Sequence, residues 1–241
     1  MIFPAIDIMN GGCVRLLKGN FSDRINYDVS PFEMAKRFSA AGAEWIHIVD
    51  LDGAKDGKQA QSNLIIEIAQ SCGISIQTGG GIRELNHVKK LIKNGVKRVV
   101  IGSLAVTNPD KVKSWIRELP NDSICIALDV NINERGIPYP AIRGWTEPNE
   151  KTLWNILSNY IDSGLETILV TDIEKDGAEL GSNLSLYEKI QDKYPNLNLI
   201  TSGGVGSIKH IKSLKALNPY GIIIGKALYE NRFTLKQAIN C

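Results

Sequence analysis

Residues 78–87 read TGGGIRELNH, and residues 201–210 read TSGGVGSIKH. The same glycine-rich phrase recurs 123 positions apart, each time at the end of a short apolar run, ISIQT (74–78) and LNLIT (197–201). Glycine loses more backbone freedom on folding than any other residue, so a glycine turn used twice implies a requirement met twice. At this offset residues 78–105 lie on 201–228: Gly80 and Gly81 meet Gly203 and Gly204, His87 meets His210, and Ile101-Gly102 meets Ile224-Gly225. At an offset of 122, PAID (4–7) falls on IALD (126–129), so Asp7 matches Asp129. At 121, IVD (48–50) falls on LVT (169–171). The chain reads as one domain, 1–241, built from two similar halves, 1–120 and 121–241.

Working outward, six further runs resemble the first two: IFPAI (2–6), WIHIV (45–49), RVVIG (98–102), SICIAL (123–128), TILVT (167–171) and GIIIG (221–225). They are mostly apolar throughout and do not alternate, as expected of parallel strands buried on both faces. Segments of helical period lie between them. In 30–42, Ser30 is the expected N-cap, Pro31 the first helical residue, Glu33 the partner in a capping box and Gly42 the terminator. Residues 108–119 begin similarly with Asn108-Pro109, and 82–95 and 207–218 space apolar residues three and four apart. Eight strands, each followed by a helix, spell an α/β fold of the (βα)8 TIM-barrel type, and 241 residues suit one. A doubly wound sheet is the alternative; eight near-equal units favour closure.

Composition excludes several classes. With 43% apolar and 22% charged residues the chain is an ordinary globular one, and its net charge of +2 gives no field aimed at nucleic acid or an anionic membrane. No apolar run approaches the length of a membrane span, and MIFPAIDIMN lacks the layout of a signal peptide. Cys13, Cys72, Cys125 and Cys241 show no CxxC and no zinc-like spacing. A reduced, cytoplasmic setting is expected.

Barrels of this type do their chemistry at the C-terminal ends of the strands and commonly hold phosphate after strands 7 and 8. Here those ends carry glycine turns and GKAL (225–228), and strands 3 and 4 repeat the device with GSLA (102–105). Bare backbone N–H groups let an oxyanion approach, so two anion sites are expected across the mouth, for a ligand with a phosphate at each end. Tight turning alone is the competing explanation for any single pair of glycines. Asp7 and Asp129 end strands 1 and 5, opposite one another in an eight-stranded ring. Facing carboxylates suit acid–base work if their surroundings separate their pKa values; a structural salt bridge is the other reading. No histidine joins them, which speaks against a metal. His87 and His210 are expected on the outside of the barrel, and His47 as a packed core residue or one in a second layer behind the site. Trp145 lies in a long segment after strand 5 that could close over a ligand or simply pack.

Taken together in order, PAIDIMNGGCVRLLKG (4–19), VDLDGAKDG (49–57), GGGIR (79–83), IGSLAVTNPDKV (101–112), IALDV (126–130), GW (144–145), TDIEKDGAELGSN (171–183), SGGVGSI (202–208) and GKALYENRFT (225–234) resemble the histidine-biosynthesis isomerases that convert the ProFAR aminoaldose to its ketose. The related cyclase subunit of imidazole glycerol phosphate synthase shares the repeat and both aspartates; 171–183 and Gly144-Trp145 look more like the isomerase. The resemblance implies a cofactor-free Amadori rearrangement on a small bisphosphate, with no obligate protein partner. Asp129 would be the general acid, Asp7 the general base, and Thr171 a hydrogen-bonding neighbour of the reacting sugar. Arg15, Arg83, Trp145 and Asp176 would contact substrate from loops. Gly81, Gly102 and Ser103 would hold one phosphate, and Gly177, Ser202, Gly204, Gly225 and Lys226 the other. The sequence departs from the family pattern at Lys175, where an arginine is usual, and at Ala178, where a threonine is common.

Overall fold

The strand IFPAIDIM (Ile2–Met9, β1) is buried along its whole length, and its alternate residues enter two different cores. Phe3 and Ala5 belong to the barrel interior with Val100, Cys125, Leu169 and Ile200. Ile2, Ile6 and Ile8 pack instead against the helices. A strand with apolar neighbours on both faces has no polar face to show, hence the unbroken hydrophobic runs. The remaining barrel strands are β2 (Trp45–Asp50), β3 (Ser75–Gly79), β4 (Arg98–Ile101), β5 (Ile124–Ile132), β6 (Thr167–Asp172), β7 (Asn198–Ser202) and β8 (Gly221–Ile224). All pair in parallel in chain order; β8 pairs with β1, and β5 with β6, so the ring is closed. This computed structural model of a (βα)8 TIM barrel describes residues 1–17, 20–142, 147–148 and 150–241. Among these residues no helix is long and apolar enough to cross a membrane.

The helices start where their caps dictate. Ser30 accepts from the Glu33 N–H ahead of Pro31–Ala40, and Asn108 from the Lys111 N–H ahead of Pro109–Glu118. The capping box expected at Glu33 does not close: its carboxylate takes the Arg37 guanidinium at 3.0 Å, one turn along the exposed face.

Two expectations about the strands are corrected. Asp7 and Asp129 do not end their strands; β1 runs on to Met9 and β5 to Ile132, because each continues into an antiparallel partner on the rim, Gly12–Leu17 and Pro138–Ile142. The other concerns the match between β2 and β6. Asp7 stands opposite Val49, and Asp129 opposite Thr171, so Thr171 corresponds to Val49, one position off the match read from sequence. The reason lies in the next residue of each strand. Asp50 accepts backbone N–H groups of Gly53 (2.7 Å), Ala60 (2.8 Å) and Gln61 (2.8 Å). Asp172 accepts the Glu174 N–H at 3.0 Å and the Asn183 amide at 2.8 Å. These two acids pin the loops that follow, leaving the mouth to Val49 and Thr171.

The floor of the barrel holds a polar chain that the apolar look of RVVIG conceals. Arg98 is fully buried at the start of β4. It binds Asp122 and lies over Trp45 and Tyr220, 4.6 and 5.3 Å from their ring centres. Its Nη1 donates to Gln77 Oε1 at 3.2 Å. That contact turns the Gln77 amide nitrogen toward His47 Nδ1, 3.0 Å away. Nδ1 is therefore an acceptor, which needs a neutral ring. Burial, with the Arg15 charge adding to it, pushes the His47 pKa down to about 4.

Candidate active site

Period-two alternation places the functional positions. With Phe3 and Ala5 facing inward, Asp7 faces inward two residues on; by the same count so do Asp129 after Cys125 and Ala127, and Thr171 after Leu169. Ser202 follows Ile200 and Gly225 follows Ile223 in the same way. Strands β1 and β5 stand four strands apart in either direction round the ring, so the two aspartates oppose one another.

Asp7 is buried, 8% exposed, and is tied into a chain of charges. Arg15, on the rim strand Gly12–Leu17, donates from Nη1 to Asp7 Oδ2 at 2.8 Å and from Nη2 to Asp176 Oδ1 at 2.6 Å. Arg15 is thus held on a strand by two carboxylates, in contrast to the loop position expected of it. Burial raises the Asp7 pKa above the ordinary carboxylate range; the Arg15 charge opposes the rise and the Asp176 charge adds to it.

The residues expected around the second-half phosphate meet in one place. Gly177, Ser202, Gly204, Gly225 and Lys226 line a single open cleft of about 310 Å³, and Arg15 and Asp176 form its inner wall. The first-half set, Gly81, Gly102 and Ser103, stands at the ends of the adjacent strands β3 and β4. Arg83 is exposed at the rim, its guanidinium lying over Gly57. Trp145 lies outside the described residues.

The glycines divide into two kinds. A Cβ on Gly80 (φ +106) would come within 2.1 Å of the Asp50 carbonyl oxygen, and one on Gly204 (φ +86) within 2.4 Å of the Gly181 carbonyl oxygen. In the first half the end of β2 rests on the glycine turn and in the second half the loop after β6 does, which gives these residues a packing reason to be glycine. Gly102 differs, since among the described residues a Cβ there would meet nothing nearer than the Ala127 carbonyl at 3.9 Å. Gly225 faces the Arg15 guanidinium, 3.0 Å from the same hypothetical atom.

Some contributors were not foreseen. His210 is not simply outside: its Nδ1 accepts the Gly206 N–H at 3.1 Å and its ring packs beside Gly181, supporting the β7 turn. Glu179 lines the cleft and reaches Lys226 at 3.5 Å. The only sequence signal for either was membership of the repeated or glycine-rich segments.

Comparison with known proteins settles the family. The pattern described as Histidine biosynthesis protein matches residues 1–234. A protein of Francisella philomiragia subsp. philomiragia, named 1-(5-phosphoribosyl)-5-((5-phosphoribosylamino)methylideneamino) imidazole-4-carboxamide isomerase, is 47% identical over 240 residues, covering 100% of this chain and 99% of its own. The chain belongs to this isomerase family. Further family members bearing the same name are 45% identical in Shewanella loihica and 41% identical in Idiomarina loihiensis, each over 241 residues, with 100% of this chain and 98% of the relative covered. The isomerase is therefore an enzyme of histidine biosynthesis, and its barrel mouth is the place to seek its chemistry.

Proposed function

We propose that this isomerase converts the ProFAR aminoaldose to its ketose by general acid–base catalysis between Asp7 and Asp129, while the two glycine-bearing rims hold the substrate's two phosphates. The observation that carries the reading is the buried, inward-facing Asp7, opposed across the mouth by Asp129 with Thr171 beside it in register. The phosphate assignment is supported by the convergence of Gly177, Ser202, Gly204, Gly225 and Lys226 on one cleft. The backbone matches between the proposed halves, with φ/ψ of −93°/−106° at Gly102 and −107°/−99° at Gly225, favour a second seat of similar shape. Four free thiols, three of them buried, suit the cytoplasmic setting proposed for it.

The chemistry balances without a cofactor. Asp129, protonated, gives its proton to the ribose ring oxygen as the C1–O bond breaks, and the amine nitrogen's lone pair forms the C1=N iminium. Asp7, ionised, removes the C2 proton; those electrons form C1=C2 and neutralise the nitrogen. The enolamine then gains a proton at C1 and loses the one on its C2 hydroxyl, which yields the ketose. Asp7 gives back a proton and Asp129 regains one, so both end as they began. A base whose pKa burial has raised is better matched to a carbon acid than an ordinary carboxylate is.

Supplied with the purified aminoaldose and no ammonia, metal or nucleotide, the enzyme is expected to form the ketose, followed by its absorbance change; no turnover would overturn the reading. The pH profile tests the base. Activity needs ionised Asp7, so it is lost as pH falls through the Asp7 pKa. Arg15 holds that pKa down and Asp176 holds it up. Arg15→Met therefore moves the acid limb of kcat/KM to higher pH, and Asp176→Asn moves it to lower pH. Limbs that do not move, or move the other way, would mean that the limb belongs to another group.

A further inference from the structure

The loop after β6 places a carboxylate where the proposed reading seats a phosphate. Glu179 adopts a left-handed backbone (φ +57), which a non-glycine residue seldom does. Its side chain is only 14% exposed and lines the same cleft as Gly204 and Gly225. One oxygen, Oε2, lies 3.5 Å from Lys226 Nζ and 3.3 Å from Arg232 Nη2. The other, Oε1, is buried without a hydrogen-bond partner among the described residues. Lys226 also donates to the Gly177 carbonyl at 3.2 Å and lies 3.7 Å from Glu230.

The first half solves the same corner with the opposite charge. Gly57, 122 positions before Glu179, is likewise left-handed (φ +72). The space over it is filled by the Arg83 guanidinium, 1.9 Å from where its Cβ would be. Arg83 in turn stands 123 positions before Gly206, and a Cβ on Gly206 would meet Glu179 Cβ at 2.5 Å. Glycine and charged residue have thus exchanged places between the halves. One rim gains a guanidinium and the other a carboxylate.

We propose that Glu179 sets the affinity of the β7–β8 phosphate seat: its carboxylate holds Lys226 in competition with the ligand's phosphate, so this seat binds phosphate more weakly than its β3–β4 counterpart and releases it faster. The inference rests on the phosphate reading of the cleft. A phosphate that recruits Lys226 must take it from Glu179 and then sit beside a carboxylate whose Oε1 has no donor among the described residues. Because the repulsion acts on substrate, transition state and product alike, it raises KM without raising the chemical barrier. The weakened grip also favours product release, a frequent limit on kcat.

Inorganic phosphate, titrated by calorimetry at low ionic strength, is the probe. Glu179→Gln removes the charge at nearly constant volume, and Glu179→Gly copies the first half at a left-handed position that suits glycine. Both are expected to tighten phosphate binding about tenfold, the size of one charge–charge interaction several ångströms apart at a partly exposed site, and the gain should shrink as salt is added. With the aminoaldose as substrate, KM falls and kcat does not rise. Unchanged or weaker phosphate binding in both variants would overturn the proposal and leave Glu179 as a prop for Lys226. Lys226→Met separates this failure from a deeper one. If phosphate binds that variant as well as the wild type, Lys226 holds no anion, and the phosphate reading of this cleft falls with the proposal.

Discussion

Replacing Asp7 with asparagine is expected to lower kcat by about 10²–10⁴, and Asp129→Asn by a similar factor, while substrate still binds. Asparagine keeps the shape of each side chain and most of its hydrogen bonding, but can neither take the C2 proton nor give one to the ring oxygen. On the proposed reading binding survives, because the phosphates would be held elsewhere, by the strand ends of β3, β4, β7 and β8. The two losses should not add in the double variant, because on the proposed mechanism both groups would serve one reaction sequence. A purely structural ion pair predicts something else. Asp7→Asn would then loosen Arg15, which bridges Asp7 and Asp176, and the loss would appear in thermal stability as much as in kcat. Steady-state kinetics beside a melting curve separates the two.

The second large effect is on folding. Gly80→Ala is expected to destabilise the enzyme by about 3 kcal/mol, from overpacking and backbone strain together. Its Cβ would lie 2.1 Å from the Asp50 carbonyl oxygen, at φ +106. The atom it strikes is backbone at the end of β2, where the Asp50 side chain is itself held by three N–H groups of the following loop, so there is little room to yield. For a chain of this size such a loss lowers Tm by roughly 6–12 °C. Gly102→Ala should lower Tm far less, since its Cβ would meet nothing closer than 3.9 Å among the described residues, and should instead weaken phosphate binding. Equal melting losses in the two variants would show that the glycines are all there for packing.

Much of the architecture was legible because burial on both faces leaves a plain mark: IFPAI or GIIIG has no polar alternation to confuse with a surface strand. The caps were legible for a local reason, since Ser30 and Asn108 need only an N–H three residues ahead. What failed to show depended on partners distant in sequence. Nothing in GGCVRLLKG announces a rim strand, because its register is set by β1. The one-position error between β2 and β6 arose because IVD and LVT look alike, whereas Asp50 and Asp172 are defined by the loops they hold. Arg98 reads as an interruption before an apolar run until Asp122, Gln77 and Tyr220 are brought to it.

The candidate site shows the same division. Asp7 and Asp129 could be paired from the repeat alone, and the second-half glycines from their place in the fold. The link from Arg15 to both Asp7 and Asp176 spans 161 residues at its longer end, and only the closed barrel brings it about. Glu179 escaped notice because an acid in a polar glycine-rich loop looks like solvent-facing residue; its left-handed backbone and its place beside Lys226 exist only in three dimensions.

The most direct measurement uses the Asp7→Asn variant, which should bind the aminoaldose and turn it over far more slowly: a crystal structure of that complex. The expected density spans the mouth, with one phosphate at Gly81, Gly102 and Ser103, the other at Gly204, Gly225 and Lys226, and the reacting ribose between residue 7 and Asp129. A ligand anchored at one rim only, or a ribose out of reach of both side chains, would contradict it.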